Sequence, residues 1–178
     1  MPLAHAERTF QGWTVLFTEP FLSGYGNLSA RARTLKGELS EEEYEQHPDV
    51  KLFLAVRELT RTVIPSDPQH ADYQLRGDLG KFRRTKGRGL PKRYRIFWAF
   101  SEQLKVIIFL YMNDSASLRK EGDRSDPYRL FSSMVRRGEI GADFEENYRR
   151  WNEARRWVPV DPDAAATIRT LQAENERG

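Results

Sequence analysis

At 178 residues, with 39% hydrophobic and 12% aromatic residues, the chain is long enough to bury one sizeable core and too short to favour two full domains. A formal net charge of +3 excludes a uniformly basic protein, and the absence of cysteine excludes disulfides, thiolate nucleophiles and cysteine-based metal sites while being compatible with a reducing cytosol. No run approaches transmembrane length and no basic start leads into an apolar stretch, so a soluble, unexported, cytoplasmic protein with no membrane partner is expected.

Residues 13–17, WTVLF, read as a strand with Trp13, Val15 and Phe17 on one face. Pro20 suits a first helical turn. Phe21, Tyr25, Leu28, Ala32 and Leu35 then recur at spacings of four and three, one apolar stripe that Gly37 can close and that Gly24 and Gly26 weaken. Ser40-Glu-Glu-Glu43 fits a capping box, and Leu52, Phe53, Val56, Leu59 and Val63 mark a second amphipathic helix, interrupted early by His47-Pro48 and ending before Pro65. The short link makes these an antiparallel helix pair over a sheet.

Residues 73–75 and 82–86 fit short strands, and residues 93–100 and 105–113 read as longer ones joined by a polar hairpin at Ser101-Glu-Gln-Leu104. Tyr94, Ile96, Trp98 and Phe100 share one face of the first long strand, while Arg93, Arg95, Phe97 and Ala99 share the other. Residues 106–112 are apolar on both faces, as a central strand requires. Asp126-Pro127 opens a helix with Tyr128, Phe131 and Val135 inward, stopped at Gly138. Phe144, Tyr148 and Trp151 give one more helix; residues 158–162 read as a linker, and the alanine-rich end as a weak helix or a flexible tail. The expected fold class is α+β, an N-terminal helix pair packed on a twisted antiparallel sheet with a C-terminal helix. The main domain is set at residues 1–141 and a partly flexible helical extension at 142–178.

Residues 76–95, RGDLGKFRRTKGRGLPKRYR, hold Arg76, Lys81, Arg83, Arg84, Lys86, Arg88, Lys92, Arg93 and Arg95 against one acid, Asp78. The balancing acids lie in residues 38–45 and 139–146, which gives the molecule a charged side. Cations on rigid strands, interleaved with Phe82, Tyr94, Phe97 and Trp98, fit a polyanionic, stackable ligand, and RNA is the first candidate. His5, His47 and His70 lie outside this rim and form no constellation. Asn113, Asp114, Asp123 and Asp126 are better read as a turn and a helix cap than as a metal site, so neither metal nor cofactor is expected.

Several words of the sequence resemble the YhaV toxins, in the RelE-like group of bacterial toxin–antitoxin systems. Residues 93–138 carry the densest likeness, in RYRIF at 93–97, Met112-Asn113-Asp114, Leu118-Arg119 and residues 126–131, with Gly12-Trp13, Leu35-Lys36-Gly37 and FRRTK at 82–86 preceding in order. The likeness spans about residues 12–144, so residues 1–141 stand for the toxin domain. Ala99 stands where the pattern has a basic residue, and residues 87–92 are longer and more basic than its usual connection.

The resemblance implies a RelE-like fold that cleaves messenger RNA, at least partly on the ribosome. It also implies neutralisation by a PrlF-like antitoxin with a swapped-hairpin DNA-binding domain, operator DNA being reached only through that antitoxin. The family's reliance on Lys, Arg and Tyr carries over to Arg84, Lys86, Arg93, Arg95, Arg119 and Tyr128 as catalytic candidates. Lys81, Arg83, Arg88 and Lys92 complete the RNA-binding rim.

Attack by a 2′-hydroxyl needs a base, a charge clamp and an acid. Arginine is too weak a base, so Arg84, Arg93, Arg95 and Arg119 are clamps. Lys86, crowded by Arg83, Arg84 and Arg88, is the candidate base, since like charge favours a neutral amine. Tyr128 is a proton donor, a stacking surface or an inward core residue, and Arg95 is a clamp or a partner for Asp114. The competing functions are a non-catalytic ParE-like toxin that binds gyrase and an RNA-binding module without catalysis.

Overall fold

The computed structural model describes residues 6–113 and 126–154. Five strands form one sheet in the order β1 (Ala6–Phe10), β2 (Trp13–Phe17), β5 (Val106–Met112), β4 (Ile96–Ser101), β3 (Arg83–Thr85). The α+β class stands, but the sheet is mixed rather than antiparallel, because β2 runs parallel to β5. The reason is β1, which the sequence reading missed. It turns back on β2 through Gln11 and Gly12, at φ 51° and 81°, and so fills one side of β2. The chain then crosses over a whole helical layer before β5 takes the other side.

α1 (Glu19–Glu38) continues through Gly37 instead of closing there. Gly24 is present for proximity: a Cβ there would lie 3.0 Å from the Met112 carbonyl oxygen, so its absence lets the helix sit down on β5. The capping box forms as expected, Ser40 N donating to Glu43 Oε2 and Glu43 N to Ser40 Oγ, and starts α2 (Glu41–Gln46). His47 then breaks the helix and caps α3 (Pro48–Glu58), its Nδ1 accepting from Asp49 N. The helix does not end before Pro65. A π turn at Leu59–Val63 carries it into α4 (Ile64–Ser66), and Thr60 Oγ1 donates to the Val56 and Arg57 carbonyls where the ladder widens.

Two cores result. Trp13, Val15, Phe17, Ile96, Trp98, Ile107 and Phe109 meet α1 and α3 on one face. Leu16, Phe97, Ala99, Ile108, Leu110 and Tyr111 meet α5 (Pro127–Arg136) and α6 (Phe144–Ala154) on the other. A register shift between Phe97 and Trp98 leaves Leu110 as an extra residue on β5, so that Leu110 and Tyr111 both serve the second core. Phe144 and Trp151, 7% and 3% exposed, make α6 part of that core.

Two further expectations need correction. Residues 73–75 are not a strand: Ala71–Tyr73 is a 3-10 turn, and Gln74 makes a single bridge to Arg83. Phe82, Phe97 and Trp98 are at most 1% exposed, so three of the four aromatics among the cations are core and offer no ring to a base, while Tyr94 is half-buried against the first core. The linker and tail expected beyond residue 157 lie outside the described residues. No helix among those described is long and apolar enough to cross a membrane.

Candidate active site

Strand alternation divides the basic rim between two faces. Arg83 lies opposite Trp98 and Arg84 opposite Phe97, so neighbours in sequence point to different cores. Arg83 turns away from Arg84: its guanidinium lies 5.3 Å from the Phe100 ring and donates to the Gly80 and Phe82 carbonyls, and burial pulls its pKa below the usual arginine value. Arg84 faces α5.

There the packing of Phe131 positions the chemistry. Its ring stacks on Phe97 at 4.2 Å with an interplanar angle of 4° and meets Phe82 edge-on at 5.1 Å, which fixes the first turns of α5 over β3 and β4. Asp126 caps this helix, accepting from Tyr128 N at 2.9 Å, which answers its role as a cap. Tyr128, one turn before Phe131, sets its ring edge-on to Phe97 at 6.0 Å and its hydroxyl toward the arginines. Arg84 Nε donates to that hydroxyl at 2.9 Å and Arg95 Nε at 3.3 Å. Burial raises the Tyr128 pKa, but the hydrogen bonds and charges of Arg95 and Arg84 outweigh it and hold the phenol below its ordinary value.

Both arginines are locked from behind. Arg84 Nη1 donates to the Asp72 carbonyl. Arg95 precedes β4 instead of lying within it; its Nη1 donates to the Lys92 and Tyr94 carbonyls at 2.8 and 2.7 Å. Asn113, 2% exposed, staples the same segment, accepting from Arg95 N at 2.7 Å and donating to the Arg93 carbonyl at 2.8 Å. Among the described residues neither Arg84 Nη2 nor Arg95 Nη2 has a hydrogen-bond partner, and a guanidinium held in this way loses little entropy on meeting a phosphate.

Arg84, Lys86, Arg88 and Tyr128 line one cleft of about 540 Å³, joined by Asp72, Gln74 and Arg76. Lys86 is exposed there with no partner among the described residues. Lys81 and Lys92 are exposed outside the cleft lining, and Arg93 is half-buried and also outside it, its carbonyl accepting from Asn113 Nδ2. Arg119 and Asp114 lie outside the described residues. Asp72, Asn113 and Gln74 are the residues sequence reading missed as parts of the site, although Asn113 stood in a quoted word. His70 adjoins the cleft after all, its Nδ1 accepting from Asp72 N at 3.2 Å, while His47 is a helix cap. Among the described residues no group of His, Asp and Glu is gathered to hold a metal ion.

Two fixed guanidiniums meet an acidified phenol at the side of a cationic cleft, Arg84 from its lining and Arg95 from outside it, a set of groups suited to a phosphodiester. A family described as a toxin with endonuclease activity, of a toxin–antitoxin system, matches residues 15–152. The Ribonuclease toxin YhaV of Escherichia coli (strain K12) is 36% identical over 148 residues, covering 80% of this chain and 94% of that protein. Toxin YhaV of E. coli O6:H1 is 36% identical over 140 residues, covering 75% and 88%. No solved structure gives a significant match. The chain belongs to the YhaV family of endonuclease toxins. Its match reaches through most of α6, further than the likeness read from the sequence.

Proposed function

We propose that this protein is the toxin of a toxin–antitoxin pair and a metal-independent endoribonuclease of RelE-like fold that cuts messenger RNA on the ribosome by 2′-hydroxyl attack. The observation that carries the mechanism is the paired donation of Arg84 and Arg95 to the Tyr128 hydroxyl. With two guanidinium donors on its oxygen, the phenol directs its own proton outward. As that proton leaves, both hydrogen bonds strengthen on the forming phenolate, so Tyr128 is suited to protonate the departing 5′-oxygen. The free edges of Arg84 and Arg95 bind the scissile phosphate and take up the charge that builds on it. Lys86, in the same cleft, takes the 2′-proton. The products are a 2′,3′-cyclic phosphate and a free 5′-hydroxyl. Arg93 and Arg119 complete the clamp, and Lys81, Arg88 and Lys92 hold flanking RNA or ribosomal RNA, while Arg83, turned to the opposite face, drops out of that set.

The partner is a PrlF-like antitoxin with a swapped-hairpin DNA-binding domain, through which alone the pair reaches operator DNA in the cytoplasm. The test is incubation with naked RNA in the presence of a metal chelator, and separately with translating ribosomes in their magnesium buffer, with the chemistry of the new ends read in both. Discrete cuts ending in cyclic phosphate support the reading. Cuts that require divalent metal and leave 5′-phosphate overturn it.

A further inference from the structure

An acid is out of place in a groove built for phosphate, yet Asp72 lines the cleft between Arg84 and Arg88. Its side chain is 73% exposed, and its ion contact falls on Oδ2, 3.5 Å from Arg88 Nη2; His70 Nδ1 lies 3.6 Å from the same oxygen but accepts from Asp72 N and so does not pair with the carboxylate. The Arg88 contact is long and leaves the carboxylate with acceptor capacity, and Oδ1 has no partner among the described residues. Beside it the Arg88 guanidinium lies 5.1 Å from the centroid of the Tyr73 ring. That ring is 2% exposed and rests edge-on against Trp98, so it is out of reach of a ligand and serves as a backing plate. Arg88, 38% exposed, presents the outer face of a fixed planar cation.

We propose that Arg88 and Asp72 form a guanine-selective subsite, Arg88 stacking on the base and Asp72 reading its edge. The proposal rests on the ribonuclease reading and gives it a base preference. Guanine is the RNA base with two adjacent donors on its Watson–Crick edge, N1–H and the 2-amino group, which match the two oxygens of one carboxylate. Adenine and cytosine set a ring acceptor next to their single amino group, and uracil flanks its N3–H with two carbonyls. Each of these turns an acceptor toward the negative charge of Asp72. The carboxylate therefore selects by repulsion as well as by pairing.

The experiment is titration of the full chain with the 3′-monophosphates of guanosine, inosine, adenosine, cytidine and uridine, followed by calorimetry. Guanosine 3′-monophosphate should bind roughly tenfold more tightly than the uridine compound, the scale of one bidentate base contact. The inosine compound, which lacks only the 2-amino group, should lose most of that advantage. Asp72→Asn, which exchanges an acceptor for a donor, should bring the guanosine-to-uridine ratio to about one. Equal binding of all the nucleotides by the wild type, or a guanine preference that survives Asp72→Asn, overturns the subsite. The inosine comparison is made on the wild-type protein and needs no variant to fold. Cleavage of RNA without regard to guanine overturns the subsite and leaves the ribonuclease reading standing. Absence of any cleavage overturns both.

Discussion

Tyr128→Phe removes one oxygen and leaves the ring. The edge contact with Phe97 is kept, and what disappears is the acceptor for Arg84 Nε and Arg95 Nε. Hydrogen bonds from charged donors contribute about 1.5–3 kcal/mol each when buried. Tyr128 and both arginines are only partly buried and water can replace the lost acceptor, so the stability loss should be about 1 kcal/mol. For a chain of this size that is a fall of about 2–4 °C in melting temperature. Turnover should respond far more, since a positioned general acid contributes about 10²- to 10⁴-fold.

The assay is single-turnover cleavage measured across pH, with melting followed in parallel. A general acid must be protonated, so the wild-type rate should fall as pH rises through the Tyr128 pKa. That limb should sit below the ordinary tyrosine value, because the two arginines lower it. In Tyr128→Phe the rate should be low and the limb gone. A variant that cleaves within tenfold of wild type would refute the acid role. So would a low rate that keeps the same alkaline limb, which would make Tyr128 a scaffold for the arginines.

Arg84→Ala should lower turnover and move the alkaline limb to higher pH, since one of the groups depressing the phenol is gone; direct ultraviolet titration of the tyrosine checks the sign without cleavage. Lys86→Arg keeps the charge and loses the base, so cleavage should drop about 10²-fold or more with RNA binding retained; a wild-type rate at every pH would make Lys86 a phosphate contact only. Truncation after Gly141 removes the buried Phe144 and Trp151, each worth about 3–5 kcal/mol on deletion, against a whole-domain stability of about 5–15 kcal/mol. The truncated chain should lack a cooperative melt; a melting point within a few degrees of wild type would show α6 to be peripheral.

Elements with a strong local signal were legible in the sequence. The stripe from Phe21 to Leu35, the Ser40 capping box, the His47-Pro48 break, the hairpin around residue 103 and the Asp126 cap all carry their cause within a few residues. What failed depended on distant partners. β1, AERTF, has little strand character of its own and exists because β2 offers it an edge. The parallel pairing of β2 with β5 joins residues some ninety positions apart, and no local pattern encodes it. Pro65 stops a regular helix, but a π turn with Thr60 in its ladder is not regular.

The site was legible by residue type and not by direction. A run of nine cations reads as one patch, yet pleating sends Arg83 to one core and Arg84 to the other, and only the second meets Tyr128. The aromatics between them were misread for the same reason. Phe82 and Phe97 do not receive bases; they clamp Phe131, and that clamp holds the phenol of Tyr128 within reach of one arginine on β3 and one just before β4. The core and the chemistry are therefore coupled through a single helical turn. Asn113 repeats the logic from the other side, since a buried amide after the end of β5 holds the backbone on either side of Tyr94, just before β4. Packing fixes the donors before substrate arrives, so little of the binding energy of RNA is spent on ordering them, and more of it is left to favour the transition state.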